Sequence, residues 1–164
     1  MDKNYLNYEQ LFGNLSFWII ALVFLWLLER FLINKKLKVK FLPAYILLSL
    51  YIIPATLGFT IFKHYWLFLF KRLGHFLTGF LSAYIFDQIF SAYFQKHKIK
   101  INKWLYLWLL FASVSGIGVI DEVLDLFMHT IHWLGDSAQD LLVDTVGFLI
   151  FLLVKKLWRK RIYS

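Results

Sequence analysis

A chain of 164 residues that is 60% hydrophobic and 21% aromatic, with a mean hydropathy of +0.64, lies outside the composition of soluble domains. The net charge of +8 comes from Lys and Arg in short clusters between apolar runs, a pattern of membrane topology signals and not of a nucleic-acid-binding surface. Cysteine is absent, which excludes disulfides and thiolate metal sites.

The composition predicts an all-α fold: a polytopic transmembrane helix bundle of about five spans, each of roughly 20 residues, in a single integral membrane domain over 1–164. The leader MDKNYLNYEQ has no basic stretch and no small-residue cleavage pattern follows, so residues 15–33 are expected to be a span and not a cleaved signal. Glu29 and Arg30 fall at its far end, at the expected membrane interface. The second span, 41–62, has Pro43 near its start and Pro54 inside, where the lost hydrogen bond predicts a kink eased by Gly58. The third, 73–94, opens on KRLGHFLTGF and carries Asp87 towards its other end. The fourth, 104–128, ends in GIGVIDEVLDLFMHTIH, and the fifth, 141–157, is entered through GDSAQDLLVDTVG.

The loops set the orientation. NKKLKVK (34–40) and QKHKIKINK (95–103) carry four lysines each and KKLWRKR (155–161) five basic residues, whereas the opposite side holds only Lys3, Lys63, Lys71 and Arg72. The positive-inside rule then predicts the N-terminus outside and the C-terminus in the cytoplasm. Trp18, Trp66 and Trp133 near outer ends, with Trp104 and Trp158 near inner ends, agree with the preference of indole rings for the interface.

Ionisable residues enter three of these spans. Asp136, Asp140 and Asp144 recur every fourth position and share one helix stripe with Gly147. Counting from Lys155 at 1.5 Å per residue puts Asp144 roughly 16 Å up, near the midplane, with Asp140 and Asp136 successively closer to the outer boundary. Glu122, Asp125 and His129 share a face of the fourth span, one turn after Gly118 and flanked by Asp121. The third span runs the other way, so Lys71, Arg72 and His75 reach the same outer level. A carboxylate facing lipid at a helix centre costs roughly 2.5–3.5 kcal/mol, so these groups are expected to face a polar, outward-opening cleft. The small residues Ser113, Ser115, Gly116 and Gly118 allow close packing around it.

KRLGHFLTGF, GIGVIDEVLD and GDSAQDLLVDTVG together resemble the VanZ-like membrane proteins, and the RLGHF wording is most similar to the YjdF-type inner-membrane proteins. The resemblance covers roughly 65–152. It implies an inner-membrane location, a link to the cell envelope, and a shared polar centre at His75, Glu122, Asp140, Asp144 and Gly147. Lys71 stands where an acidic residue is common in YjdF-type chains, and Asp125 where VanZ-type chains often carry Gln.

The chemistry stays open at this point. His75, Glu122, Asp125, Asp140 and Asp144 form the candidate polar site; Glu122, Asp125, His129, Asp136 and Asp140, with His75, offer oxygen and imidazole ligands to a divalent metal. Lys71 and Arg72 beside them would hold the phosphate of a membrane-lipid head group or lipid-linked envelope precursor. Two other readings stand beside this one. Asp87 and Asp144 would serve a small proton- or cation-coupled transporter, or the carboxylates would only pair with His75, Lys71 or Arg72 in a non-catalytic interaction protein. In the absence of such a role Asp87 is expected to snorkel or to bond to a neighbouring Ser or Tyr, such as Tyr84 or Ser91 one turn away. No Gly-x-Ser-x-Gly or comparable nucleophile signature is present, and the sequence fixes neither a reaction nor an oligomeric state.

Overall fold

The computed structural model describes the backbone of residues 8–61, 65–128 and 134–162, and the side chains of 19–52, 72–123 and 138–157. It is all-helical among the described residues, with α1 (Tyr8–Asn34), α2 (Leu42–Ile61), α3 (Tyr65–Lys96), α4 (Lys103–Met128) and α5 (Leu134–Ile162). The helices outrun the apolar stretches that announce them. α3 begins at Tyr65 rather than near Leu73, and α5 spans Leu134–Ile162 rather than 141–157. Hydropathy marks where a helix is apolar, but backbone hydrogen bonding continues through GDSAQ and KKLWRKR because neither contains a proline. α2 stays helical across Pro54.

The helix ends have local causes. After α1 the chain turns at Lys36 (φ 61°), with Leu37 N–H donating to the Leu32 carbonyl at 3.0 Å. After α3 it turns at Lys98 (φ 54°), with Ile99 N–H donating to the Phe94 carbonyl at 2.9 Å. Both are Schellman caps with lysine in the left-handed position that usually takes glycine. Each is followed by the same apolar-Lys-apolar pattern, Leu37-Lys38-Val39 and Ile99-Lys100-Ile101, a short repeat inside the two basic loops. Asn102 opens α4 by accepting from the Trp104 N–H at 2.8 Å.

The chain divides into two compact units, 1–71 and 72–164. In the first, Glu29 of α1 accepts from the Phe41 N–H at 3.0 Å and from the Tyr45 hydroxyl at 2.9 Å. One carboxylate thereby satisfies an orphan donor at the start of α2 and ties α1 to it. The second unit packs α3, α4 and α5 around Ala83, Leu110, Val114, Phe148 and Phe151, with edge-on contacts of Phe151 to Phe80 and Tyr84.

The distribution of polarity is inverted relative to a water-soluble domain. Asp87, Glu122, Asp140 and Asp144 are buried, while Ile20, Phe24, Leu50, Trp104, Trp108 and Leu142 are each more than 60% exposed. By length and composition, one segment among the described residues, Lys103–Val123 of α4, can cross a membrane; Leu42–Ile52 is apolar but shorter.

Candidate functional site

α3 and α5 run parallel, and two glycines set how close they come. A Cβ on Gly79 would lie 1.9 Å from the Asp144 carbonyl oxygen, and one on Gly147 would lie 2.1 Å from that of Phe76. α4 joins them through Gly118, whose missing Cβ leaves room for the Asp144 carboxylate, 2.8 Å from where that carbon would be. The three helices therefore meet with little between their backbones, and side chains one turn from these glycines are forced together.

Those side chains are Arg72 and His75 on α3, Glu122 and Asp121 on α4, and Asp140 and Asp144 on α5. Arg72 donates to Asp140 through Nη1 and to the Gln139 amide oxygen through Nη2, the latter at 2.8 Å. The imidazole of His75 sits among carboxylates. Its Nε2 is 3.3 Å from Asp140 Oδ2, and its Nδ1 is 3.7 Å from Asp144 Oδ1 and 3.9 Å from Asp121 Oδ2. One donor atom from each of His75, Glu122 and Asp140 lies within 4.8 Å of the other two.

Asp140 is 1% exposed, with one oxygen towards Arg72 and the other towards His75. Asp144 is 4% exposed, and among the described residues neither of its carboxylate oxygens has a hydrogen-bond partner; His75 Nδ1 has none either. A buried carboxylate without donors is costly. Among the described residues, three buried carboxylates, Glu122, Asp140 and Asp144, gather about the Arg72 guanidinium and the His75 imidazole. Asp144 also lines a cavity of about 140 Å³ between α4 and α5, bounded by Ser115, Gly118, Thr145 and the rings of Phe111 and Phe148.

The structure thus brings together His75, Glu122, Asp140 and Asp144, with Arg72 as partner, and places Gly147 at the helix contact beneath them. His129 and the side chains of Lys71, Asp125 and Asp136 lie outside the described residues. Asp87 is apart from this cluster. It accepts from the Tyr106 hydroxyl at 2.5 Å and from Lys155, in place of the expected Tyr84 or Ser91. Ser91 is the next link, 3.0 Å from Tyr106 Oη. The sequence marks Lys155 only as one of the loop lysines and does not single out Tyr106 or Gln139; a signal for Lys155 lies in the matching steps from Arg72 to Asp87 and from Asp140 to Lys155, with the signs exchanged.

The chain matches no protein-family model, no curated protein and no solved structure.

Proposed function

We propose that the chain is a multi-pass inner-membrane protein of the VanZ-like type, with the N-terminus outside, and that its polar cluster binds a divalent cation. Through that cation and Arg72 it engages the phosphate of a lipid or lipid-linked envelope component from the outer leaflet. The observation that carries the reading is the triad of His75, Glu122 and Asp140 with donor atoms within 4.8 Å of one another, beside an Asp144 carboxylate with no hydrogen-bond donor among the described residues. A divalent cation would add positive charge beside the three carboxylates, and an oxygen-rich set with one imidazole suits Mn, Mg or Zn. Arg72 on the far oxygen of Asp140 would orient that carboxylate, as outer-shell partners of metal ligands do.

The membrane part rests on the inversion of polarity, with apolar side chains outward and acids inward, and on the loop lysines. It extends to five spans the capacity that length and composition give one segment of α4.

The test is elemental analysis of protein purified in mild detergent without chelators. Near-stoichiometric divalent metal in wild type, lost from folded Glu122→Gln, is the expected result; no metal after Mn, Mg and Zn have each been supplied overturns it. A second reading, proton- or cation-coupled transport, is favoured by the unsatisfied Asp144 beside its cavity. In that reading Asp87 would have to release Lys155 and Tyr106 to carry a proton.

A further inference from the structure

At the other end of α3, α4 and α5 the chain forms a second polar region, built with the opposite sign. A cavity of about 730 Å³ opens there, walled by Lys103, Lys155 and Lys156 together with the hydroxyls of Ser91 and Tyr106. Asp87 neutralises Lys155, whose ammonium also lies over the Tyr106 ring at 5.3 Å. Lys103 and Lys156 have no carboxylate partner among the described residues, so the cavity keeps an excess of positive charge.

The cavity does not end in polar surface. Leu107 and Leu152 line both it and an adjoining groove of about 300 Å³, whose other walls are Trp104, Trp108, Phe111 and Phe148. A cationic mouth therefore continues into an aromatic, apolar groove along α4. A ligand that fills both carries an anionic head and a hydrocarbon chain. The combined space is in the range of small-molecule sites, and basic pockets between membrane helices on the cytoplasmic side commonly take anionic head groups.

We propose that this composite cavity binds one anionic phospholipid of the cytoplasmic leaflet, its phosphate at Lys103 and Lys156 and one acyl chain against Trp104, Trp108 and Phe148. A zwitterionic lipid would bring its own cation against the same lysines, and a free phosphate would leave the aromatic groove unfilled. Asp87 is a positioning residue in this arrangement, since its bonds to Lys155 and Tyr106 fix one wall of the mouth. The proposal rests on reading α4 and α5 as membrane helices, and is independent of the metal cluster.

Native mass spectrometry of the full chain released from detergent tests it, with phosphatidylglycerol and phosphatidylcholine of matched acyl chains as probes and inorganic phosphate as competitor. Wild type is expected to retain phosphatidylglycerol at least tenfold more strongly than phosphatidylcholine. The double variant Lys103→Gln/Lys156→Gln is expected to lose roughly tenfold or more of that retention. Leu107→Trp, which fills the groove and leaves the lysines in place, is expected to weaken it independently, with circular dichroism reporting the helicity of each variant. Equal retention of the two lipids, or retention unchanged by both variants, overturns the proposal. Displacement by millimolar phosphate overturns the lipid assignment in favour of a soluble anion. Carbonate extraction of the membranes separates the failures: a chain released by it would defeat the membrane reading, whereas a retained chain that does not discriminate lipids defeats this site alone.

Discussion

Lys155 donates to Asp87 across the same separation of 68 residues at which Arg72 donates to Asp140. The step from 72 to 87 on α3 equals that from 140 to 155 on α5, about four helical turns. Two parallel helices are thus held at one register by two ion pairs of reversed polarity, basic-to-acidic at one end and acidic-to-basic at the other. Between them lie the Gly79 and Gly147 contacts and the apolar core. A shift of either helix by one turn would break both pairs while their carboxylates, Asp140 and Asp87, stay buried.

Asp87→Asn is expected to destabilise the protein by about 2–4 kcal/mol, because Lys155 would lose its counter-charge in a mostly buried position. The swap Asp87→Lys/Lys155→Asp should recover part of that loss. Denaturant midpoints of the two variants in detergent, compared with wild type, check this; a swap no better than Asp87→Asn would mean that the pair does not set the register.

Glycine scanning gives a sharper contrast. Gly79→Ala and Gly147→Ala place a carbon within 1.9 and 2.1 Å of a backbone oxygen on the facing helix, so α3 and α5 must move apart. Each should cost about 2–4 kcal/mol, in the upper part of the overpacking penalties and beyond. Gly116→Ala meets nothing within 4 Å and should stabilise by about 0.5–1 kcal/mol through helix propensity alone. Thermal unfolding of the three variants decides it, and a neutral Gly79→Ala would contradict the close contact.

How much of this was legible in the sequence follows from what each feature depends on. The convergence of His75, Glu122, Asp140 and Asp144 was readable because helical periodicity fixes each side chain's face and alternating helix direction fixes its level. The choice of Arg72 as partner to Asp140 depends on the rotation of α3 about its own axis, which Gly79 and Gly147 set and composition does not report. Lys155 belongs to a basic run that reads in the sequence as a topology signal, so nothing local distinguishes a lysine that turns inward to Asp87. The partners of Glu29, the Phe41 N–H and the Tyr45 hydroxyl, are not legible in the sequence, because they lie across a turn whose geometry depends on Lys36 taking a positive φ.

Asp144 separates binding from stability. Its oxygens accept no hydrogen bond among the described residues, and His75 is its nearest basic group at 3.7 Å, so in metal-free protein Asp144→Asn should be neutral or stabilising by about 1 kcal/mol, since it removes a buried charge without a donor. The same change should weaken divalent cation binding by roughly tenfold or more, because it removes one negative charge beside the triad of ligands. Melting curves with EDTA and isothermal titration with Mn on the same preparations read the two effects separately. Loss of stability in EDTA would show instead that Asp144 is satisfied by a donor in the folded protein.

Metal removal tests the cluster as a whole. A cation that binds only the folded state stabilises it by about 2.7 kcal/mol at a concentration 100 times its dissociation constant. Wild type should therefore melt at a lower temperature in EDTA and recover when Mn or Zn is returned, whereas Glu122→Gln, which lacks one of the three ligands, should show little difference between the two conditions. His75→Gln should behave like Glu122→Gln, since its ring supplies the imidazole donor. Arg72→Gln tests orientation: with the guanidinium gone, Asp140 loses a buried partner, and the variant should be less stable than wild type in EDTA yet gain at least as much from added metal. If Arg72→Gln gained nothing from metal while remaining folded, the cation site would be excluded.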